Sequence, residues 1–282
     1  MRVGIGLPGG IPGASGTMIL KWAAKADDSP FSSLAAIDRI VYDNYEPMAM
    51  LAAASAVTSR VRLATTIVVA PLRGTAALAK TAASIDALSG GRLVLGMAVG
   101  AREDDYLAAG VDYRRRGRIL TDQLAAMREY WEGDTIGPRP VRPGGPEMLV
   151  GGLSDAAFSR AARYADGYVH GGGPPRAFGR AADRARAAWR DAGRPGLPAL
   201  WGQGYFALGE GTAERGARYL KDYYAFTGPF ADKIAAGLLF SAQSVIQYIR
   251  GYEEAGCSEL VLLPTIADPS QFDRLAEAVA SL

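Results

Sequence analysis

Two long apolar runs, Val61 to Val69 and Arg92 to Val99, flank an amphipathic stretch from Thr75 to Leu88, and neither run alternates with polar residues. Strands covered on both faces read this way, as in a parallel sheet sheathed by helices. The pattern recurs along the whole chain. Strands are predicted at Arg2 to Leu7, Ser33 to Asp38, Val61 to Val69, Arg92 to Val99, Glu147 to Gly151, Gly167 to His170, Ala199 to Leu208 and Glu259 to Leu263. Helical stretches lie near Met18 to Ala26, Pro47 to Thr58, Thr75 to Leu88, Arg118 to Trp131, Asp155 to Ala165, Pro175 to Ala192, Thr212 to Phe226 and Ser244 to Ala255, with Pro269 to Leu282 closing the chain. Strand and helix in strict alternation predict an α/β fold, a (β/α)8 TIM barrel forming one domain over residues 1–282.

Two stretches break the repeat. Gly133 to Pro146 carries four prolines and reads as coil, whereas Thr227 to Phe240 lies between two helices and holds Phe230, Leu238, Leu239 and Phe240, with Phe226 just before it. That is more apolar bulk than a solvated loop exposes, so the second stretch is expected to be a mobile cover. In such folds ligands bind at the carboxyl ends of the strands. The predicted ends place Leu7, Asp38, Thr65, Thr66, Gly100, Gly152, His170 and Gly171 on that rim.

Composition narrows the function classes. With 31 basic residues against 29 acidic ones the net charge is +2, which leaves no footprint for nucleic acid or a membrane surface. The lone Cys257 precedes an apolar strand and reads as a core filler, and one cysteine makes no intrachain disulfide. A strand begins at Arg2, no leader pattern precedes it, and apolar runs are short; a cytoplasmic enzyme is expected.

Several motifs compete for the chemistry. Gly4-Ile-Gly-Leu-Pro-Gly9 satisfies a dinucleotide fingerprint, with Asp27 and Asp28 at the expected distance, but Pro8 interrupts it and Gly10-Ile-Pro-Gly13 stands where a helix should begin. Gly202-Gln-Gly-Tyr lies inside a strand. Stronger is Leu149-Val-Gly-Gly-Leu-Ser-Asp155, where a strand passes through two glycines into a helix whose first amides suit a phosphate. Ser154 also reads as a plain N-cap, and Asp155 would repel an anion. The next strand end, Val169-His-Gly-Gly-Gly-Pro174, again offers glycine backbone, and the two together favour one phosphate cradle. His170 is the only histidine, so a histidine-built metal site is excluded; at a strand's carboxyl end it is the candidate catalytic residue, weighed against a structural role. Glu103-Asp-Asp105 reads as a solvated helix start.

The blocks Tyr42-Asp-Asn-Tyr-Glu-Pro47, Thr58-Ser-Arg-Val-Arg-Leu63, Ala79-Lys-Thr-Ala-Ala-Ser-Ile-Asp-Ala-Leu-Ser-Gly-Gly-Arg92, Leu95-Gly-Met-Ala-Val-Gly100 and Ala161-Ala-Arg-Tyr-Ala-Asp-Gly167 resemble the bacterial luciferase-like family of FMN- and F420-dependent oxidoreductases. The resemblance runs along the whole chain. It implies a phosphate at Gly151, Gly152, Leu153, Ser154, Gly171 and Gly172, and a non-prolyl cis peptide at Ile67-Val68 behind the flavin ring. With Leu7, Thr66 and Gly100 these residues make the implied site for FMN or F420. It further implies a small-molecule substrate, a separate flavin or F420 reductase as a possible partner, and a homodimer through helices near the second and third strands. The chain departs from the F420-dependent sugar-phosphate dehydrogenases of the family. Where those have a histidine and a glutamate, it has Arg39 and Ala101-Arg102. A monooxygenase or reductase is therefore the leading expectation; an NAD(P)-dependent dehydrogenase and a flavin-binding barrel without activity are the alternatives.

Overall fold

The computed structural model describes residues 1–133 and 135–282. Eight parallel strands close a barrel in chain order: β1 (Arg2–Gly6), β2 (Ser33–Ala36), β3 (Arg62–Val69), β4 (Leu93–Ala98), β5 (Glu147–Gly151), β6 (Gly167–Val169), β7 (Ala199–Phe206) and β8 (Glu259–Pro264), with β8 pairing back onto β1. Around them run α1 (Gly16–Asp27), α2 (Pro47–Ser55), α3 (Thr75–Leu88), α4 (Glu103–Ala108), α5 (Arg116–Glu132), α6 (Asp155–Tyr164), α7 (Pro175–Asp191), α8 (Thr212–Tyr223), α9 (Phe230–Ala236), α10 (Ala242–Glu254) and α11 (Ser270–Ala280). The α/β barrel expected from the apolar pattern is the observed fold.

Side-chain alternation explains why the strands read as unbroken apolar runs. Ala35, Ala64, Val94, Leu149, Val169, Trp201 and Val261 fill the barrel interior, while their neighbours Leu34, Leu63, Leu95, Val150, Tyr168, Leu200 and Leu262 pack outward against helices. Both faces are dry, so both must be apolar. Gly4 and Gly6, two of the dinucleotide-like glycines, are spent on strand packing. A Cβ at Gly4 would stand 2.1 Å from Ser33 Oγ, and one at Gly6 2.4 Å from a Leu263 methyl. No helix start follows them to receive a pyrophosphate: Pro8–Gly10 forms a single 3-10 turn.

Several sequence blocks prove to be architectural. Arg92 donates to the Val61 carbonyl (2.7 Å), the Thr58 carbonyl (2.8 Å) and Thr58 Oγ1 (2.9 Å), which ties β4 to the start of β3 at the amino end of the barrel. Asp86 accepts from the Val141 amide (2.8 Å) and anchors the coil before β5. Within that coil Asp134 lies outside the described residues, and the rest carries neither helix nor strand. At the same end Glu259, with no exposed side-chain surface, meets Arg2 (3.1 Å) and Arg62 (3.4 Å), and Arg62 also pairs with Glu147 (2.5 Å). Cys257 is buried, its thiol against the carbonyls of Leu200 and Glu259, and burial pushes it up to about 12. It is filler, as expected. None of the described helices is long and apolar enough to cross a membrane.

Candidate active site at the carboxyl end of the barrel

The carboxyl ends of the strands surround a cavity of about 920 Å³ whose wall is mostly apolar or glycine backbone. Of the residues singled out from sequence, Thr66, Ile67, Gly100, Gly151, Gly152, Leu153, His170, Gly171 and Gly172 line it together. Leu7 and Val68 do not; both pack into the layer between strands and helices. Ser154 also stands outside the wall, and its Oγ caps α6 by accepting from the Ala157 amide (3.3 Å).

The non-prolyl cis peptide is present but lies one residue earlier than expected, at Thr66-Ile67 rather than Ile67-Val68. The cause is visible in the ladder. Thr65 pairs with Leu95 while Val68 pairs with Met97, so β3 carries one extra residue against β4. Such a bulge re-aims side chains. Here it turns Ile67 into the cavity and Val68 out to the helices.

Two glycine-rich turns stand side by side. At the end of β5, Gly152 has φ +129° and a Cβ there would lie 2.8 Å from the Ala157 methyl, so only glycine fits as the backbone passes into α6. Ser154 satisfies one donor of the α6 N-terminus, while the first helical amides, at Asp155 and Ala156, have no intrahelical acceptor. The anticipated repulsion from Asp155 is absent from this cradle, because the carboxylate, 99% exposed, turns away to Arg184 (2.6 Å), which also donates to the Leu153 carbonyl (2.9 Å). Past β6, the Gly171–Gly173 turn is fixed by Gln203, whose Nε2 donates to the Gly171 carbonyl (3.2 Å), and by Tyr248 and Tyr252, whose hydroxyls reach the Gly173 carbonyl at 2.8 and 2.9 Å.

His170 is buried beside Tyr168 and Phe178. Burial pulls its pKa down to about 4, so the ring is neutral at physiological pH. Nδ1 accepts from the Gly172 amide (3.3 Å), which puts the ring proton on Nε2. The imidazole is thus built as a donor rather than as a base.

The rest of the wall includes cationic and aromatic side chains. Asp38 is fully engaged by the Val69 amide (2.7 Å) and by both arms of Arg73 (2.6 and 3.1 Å). Arg102 is buried against Tyr205, Tyr223, Tyr224 and the more exposed Phe226, all of which line the cavity. Burial works against its charge, yet its pKa is raised, Asp105 being the ionised neighbour that favours the guanidinium. The tyrosine hydroxyls are themselves pushed up by burial and remain protonated. Sequence reading missed these tyrosines and Gln203. The only available signal was a polar residue, Gln203, between two glycines of an apolar strand, and the run Tyr223-Tyr224-Ala225-Phe226 at a helix end.

The family described as luciferase-like monooxygenase matches residues 1–262. The chain belongs to that family. An uncharacterised protein of Mycobacterium tuberculosis is 34% identical over 163 residues, 53% of this chain and 56% of that protein. Pyrimidine monooxygenase RutA of Cronobacter sakazakii is 32% identical over 176 residues, 54% of this chain and 50% of RutA. The matches thus span little more than half the length of these curated relatives. Solved luciferase-like barrels share the whole fold. An F420-dependent secondary alcohol dehydrogenase superposes with TM-score 0.80 at 17% identity, covering 100% of this chain and 99% of the other. The oxygenating constituent of 3,6-diketocamphane monooxygenase of Pseudomonas putida, in complex with FMN, gives TM-score 0.75 at 17% identity, covering 98% and 96%.

Proposed function

We propose that this luciferase-like chain is an oxidoreductase that uses FMN or F420 to transform a small organic substrate in the cavity at the carboxyl end of the barrel. The observation that carries this reading is the pair of adjacent glycine turns, Gly151–Leu153 and Gly171–Gly173, opening into one apolar cavity beside the free amides of α6. Backbone amides at a helix start suit a phosphate, and both cofactors carry one. The buried Oγ1 of Thr66 and Oε1 of Gln203 lack protein partners and lie in residues of the cavity wall, where they can accept or exchange hydrogen bonds with a polar heterocycle. The residues present therefore fit the group.

When bound, the cofactor supplies redox chemistry that no side chain here can supply. The chain's own part is positional. The glycine turns hold the phosphate, Ile67 and Gly100 form the floor, and the neutral His170 keeps the Gly171–Gly173 turn in shape while offering Nε2–H. The segment from Phe226 to Gly237 covers one side and excludes water. Arg39 and Ala101-Arg102 stand where the F420-dependent sugar-phosphate dehydrogenases have a histidine and a glutamate, and neither a guanidinium nor an alanine can relay a proton at physiological pH. A mechanism that depends on such a relay is therefore disfavoured, and monooxygenation with reduced cofactor from a separate reductase is the better reading. The chain would work in the cytoplasm as a homodimer. Titration with FMN and F420 separately, followed by fluorescence quenching, tests the proposal. Micromolar binding of either supports it. Binding of NADPH alone would overturn it in favour of a nicotinamide dehydrogenase, and cofactor binding without oxygen uptake or F420 turnover over a broad substrate panel would point to a barrel without activity.

A further inference from the structure

Arg102 differs from Arg73, a half-buried arginine of this end. Arg73 meets two carboxylates within hydrogen-bond distance, Asp38 and Glu46 (2.7 Å). Arg102 meets none. Asp105 pairs with it only at ion-pair distance: its Oδ2 stands 3.7 Å from Nη1, while its Oδ1 accepts the Ile40 (3.0 Å) and Val41 (2.7 Å) amides. Arg102 Nη1 reaches only the Asp38 carbonyl, at 3.4 Å, and Nε has no partner, although the side chain is only 9% exposed. Its guanidinium lies 4.7 Å from the Tyr223 ring centre and 4.8 Å from that of Phe226. Tyr205 and Tyr224, hydroxyls 2.6 Å apart, complete the aromatic wall. Asp38, a carboxylate of the cavity wall, is consumed by Arg73, and Asp105, which balances Arg102 at 3.7 Å without hydrogen bonding to it, lies outside that wall. A buried guanidinium with unused donors costs free energy unless a ligand completes it.

Resting on the oxidoreductase reading above, we infer that Arg102 and the Tyr205, Tyr223, Tyr224 and Phe226 rings form a substrate subsite for a planar apolar acid, whose carboxylate pairs with Arg102 and whose frame lies against the rings. A carboxylate matches the forked donors of arginine, and aromatic rings provide flat apolar surface for the rest of the molecule. The subsite lies beyond the end of β4, with Tyr205 supplied by β7 and the other rings by α8 and the segment that follows it.

The test uses benzoate and naphthoate against their uncharged amides, measured by calorimetry on the protein with and without cofactor. Wild type should bind an acid at least about tenfold more tightly than its amide, and Arg102→Met should abolish that preference while leaving FMN or F420 affinity within about twofold. If Arg102→Met does not fold, Arg102→Lys serves, because losing the fork should cut the preference severalfold even with the charge retained. Equal affinity for acid and amide, a preference that survives both substitutions, or no binding of any probe at millimolar concentration would overturn the subsite. Failure of the cofactor reading looks different: neither FMN nor F420 quenches, yet the preference for acids persists in the protein alone.

Discussion

His170 holds a neutral ring where an exposed histidine would take up a proton, and this ties stability to pH. Its folded value is about 4 against an ordinary 6.5, so the unfolded chain binds the proton first as pH falls. The sign follows: above about pH 6.5 the residue has no effect, stability falls from there towards about pH 4, and below that the loss is complete at about 3 kcal/mol. His170→Gln should flatten the decline in urea-denaturation free energy over this window relative to wild type; parallel curves would show that the imidazole is not buried neutral. Gly152 is the second residue whose chemistry can be isolated. Gly152→Asp forces a side chain into a positive-φ position 2.8 Å from Ala157 and sets a carboxylate among amides meant for phosphate. Cofactor affinity should fall more than about tenfold. A folded variant with unaltered affinity would move the phosphate elsewhere. These glycines were legible because turn chemistry is local. Arg102 was visible only as a departure from the family, since its setting depends on Asp105 being held by amides 64 and 65 residues away, with only Oδ2 facing the guanidinium at 3.7 Å.

Among the elements, the stretch after α8 was expected to be a cover over the ligand, and it lines the cavity through Phe226, Thr227, Phe230, Lys233, Ile234 and Gly237. It divides mechanically. Leu238 and Leu239 are buried, and Leu239 exchanges backbone hydrogen bonds with β7, accepting from Ala207 (2.9 Å) and donating to Tyr205 (2.9 Å). Phe230, at the start of α9, is 56% exposed, and the helix is held to α8 by the Lys221–Asp232 ion pair (2.7 Å) at the surface and by the buried methyl of Ala235 in the cluster of Leu220 and Tyr223. Motion should therefore be confined to residues 227–237. Hydrogen exchange there should slow severalfold when cofactor and an aromatic acid bind, while the Leu239 amide stays protected throughout. Unchanged exchange in α9 would make it fixed scaffold. Sequence reading located the strands well because two-sided burial leaves an unmistakable apolar run. It overran their carboxyl ends, at Ile37-Asp38 and Ala207-Leu208, because residues leaving the ladder for the rim stay buried and look the same. The bulge in β3 left no trace at all, since Thr66, Ile67 and Val68 would suit either register, and the cis bond was misplaced by one residue for that reason.

Across the whole molecule the two ends of the barrel divide the work. The open carboxyl end holds the cavity; the amino end is shut by Arg2, Arg62, Glu147 and Glu259, drawn from β1, β3, β5 and β8. Much of what identified the family from sequence belongs to this closed end: Thr58, Arg62 and Arg92 tie strands together and do not line the cavity. That is why the fold and family were readable while the substrate was not. Shared architecture leaves long, spaced blocks, whereas the walls that choose a substrate are single residues brought together from distant strands. Glu259 tests the division. With no exposed surface it compensates Arg62, which also stacks 5.0 Å over the Trp201 ring that fills the barrel interior. Glu259→Ala leaves that arginine with Glu147 as its remaining close carboxylate and takes an acceptor from the Ser32 hydroxyl, so urea denaturation should show a loss of about 1 to 3 kcal/mol. Cofactor affinity should stay within about twofold, because the change lies at the far end of the strands from the cavity. A loss below about 1 kcal/mol would mean that the ionic closure adds no more than a surface pair, and a large fall in cofactor affinity at unchanged stability would mean that the two ends are coupled through the interior stack of Trp201, Val261 and Leu149.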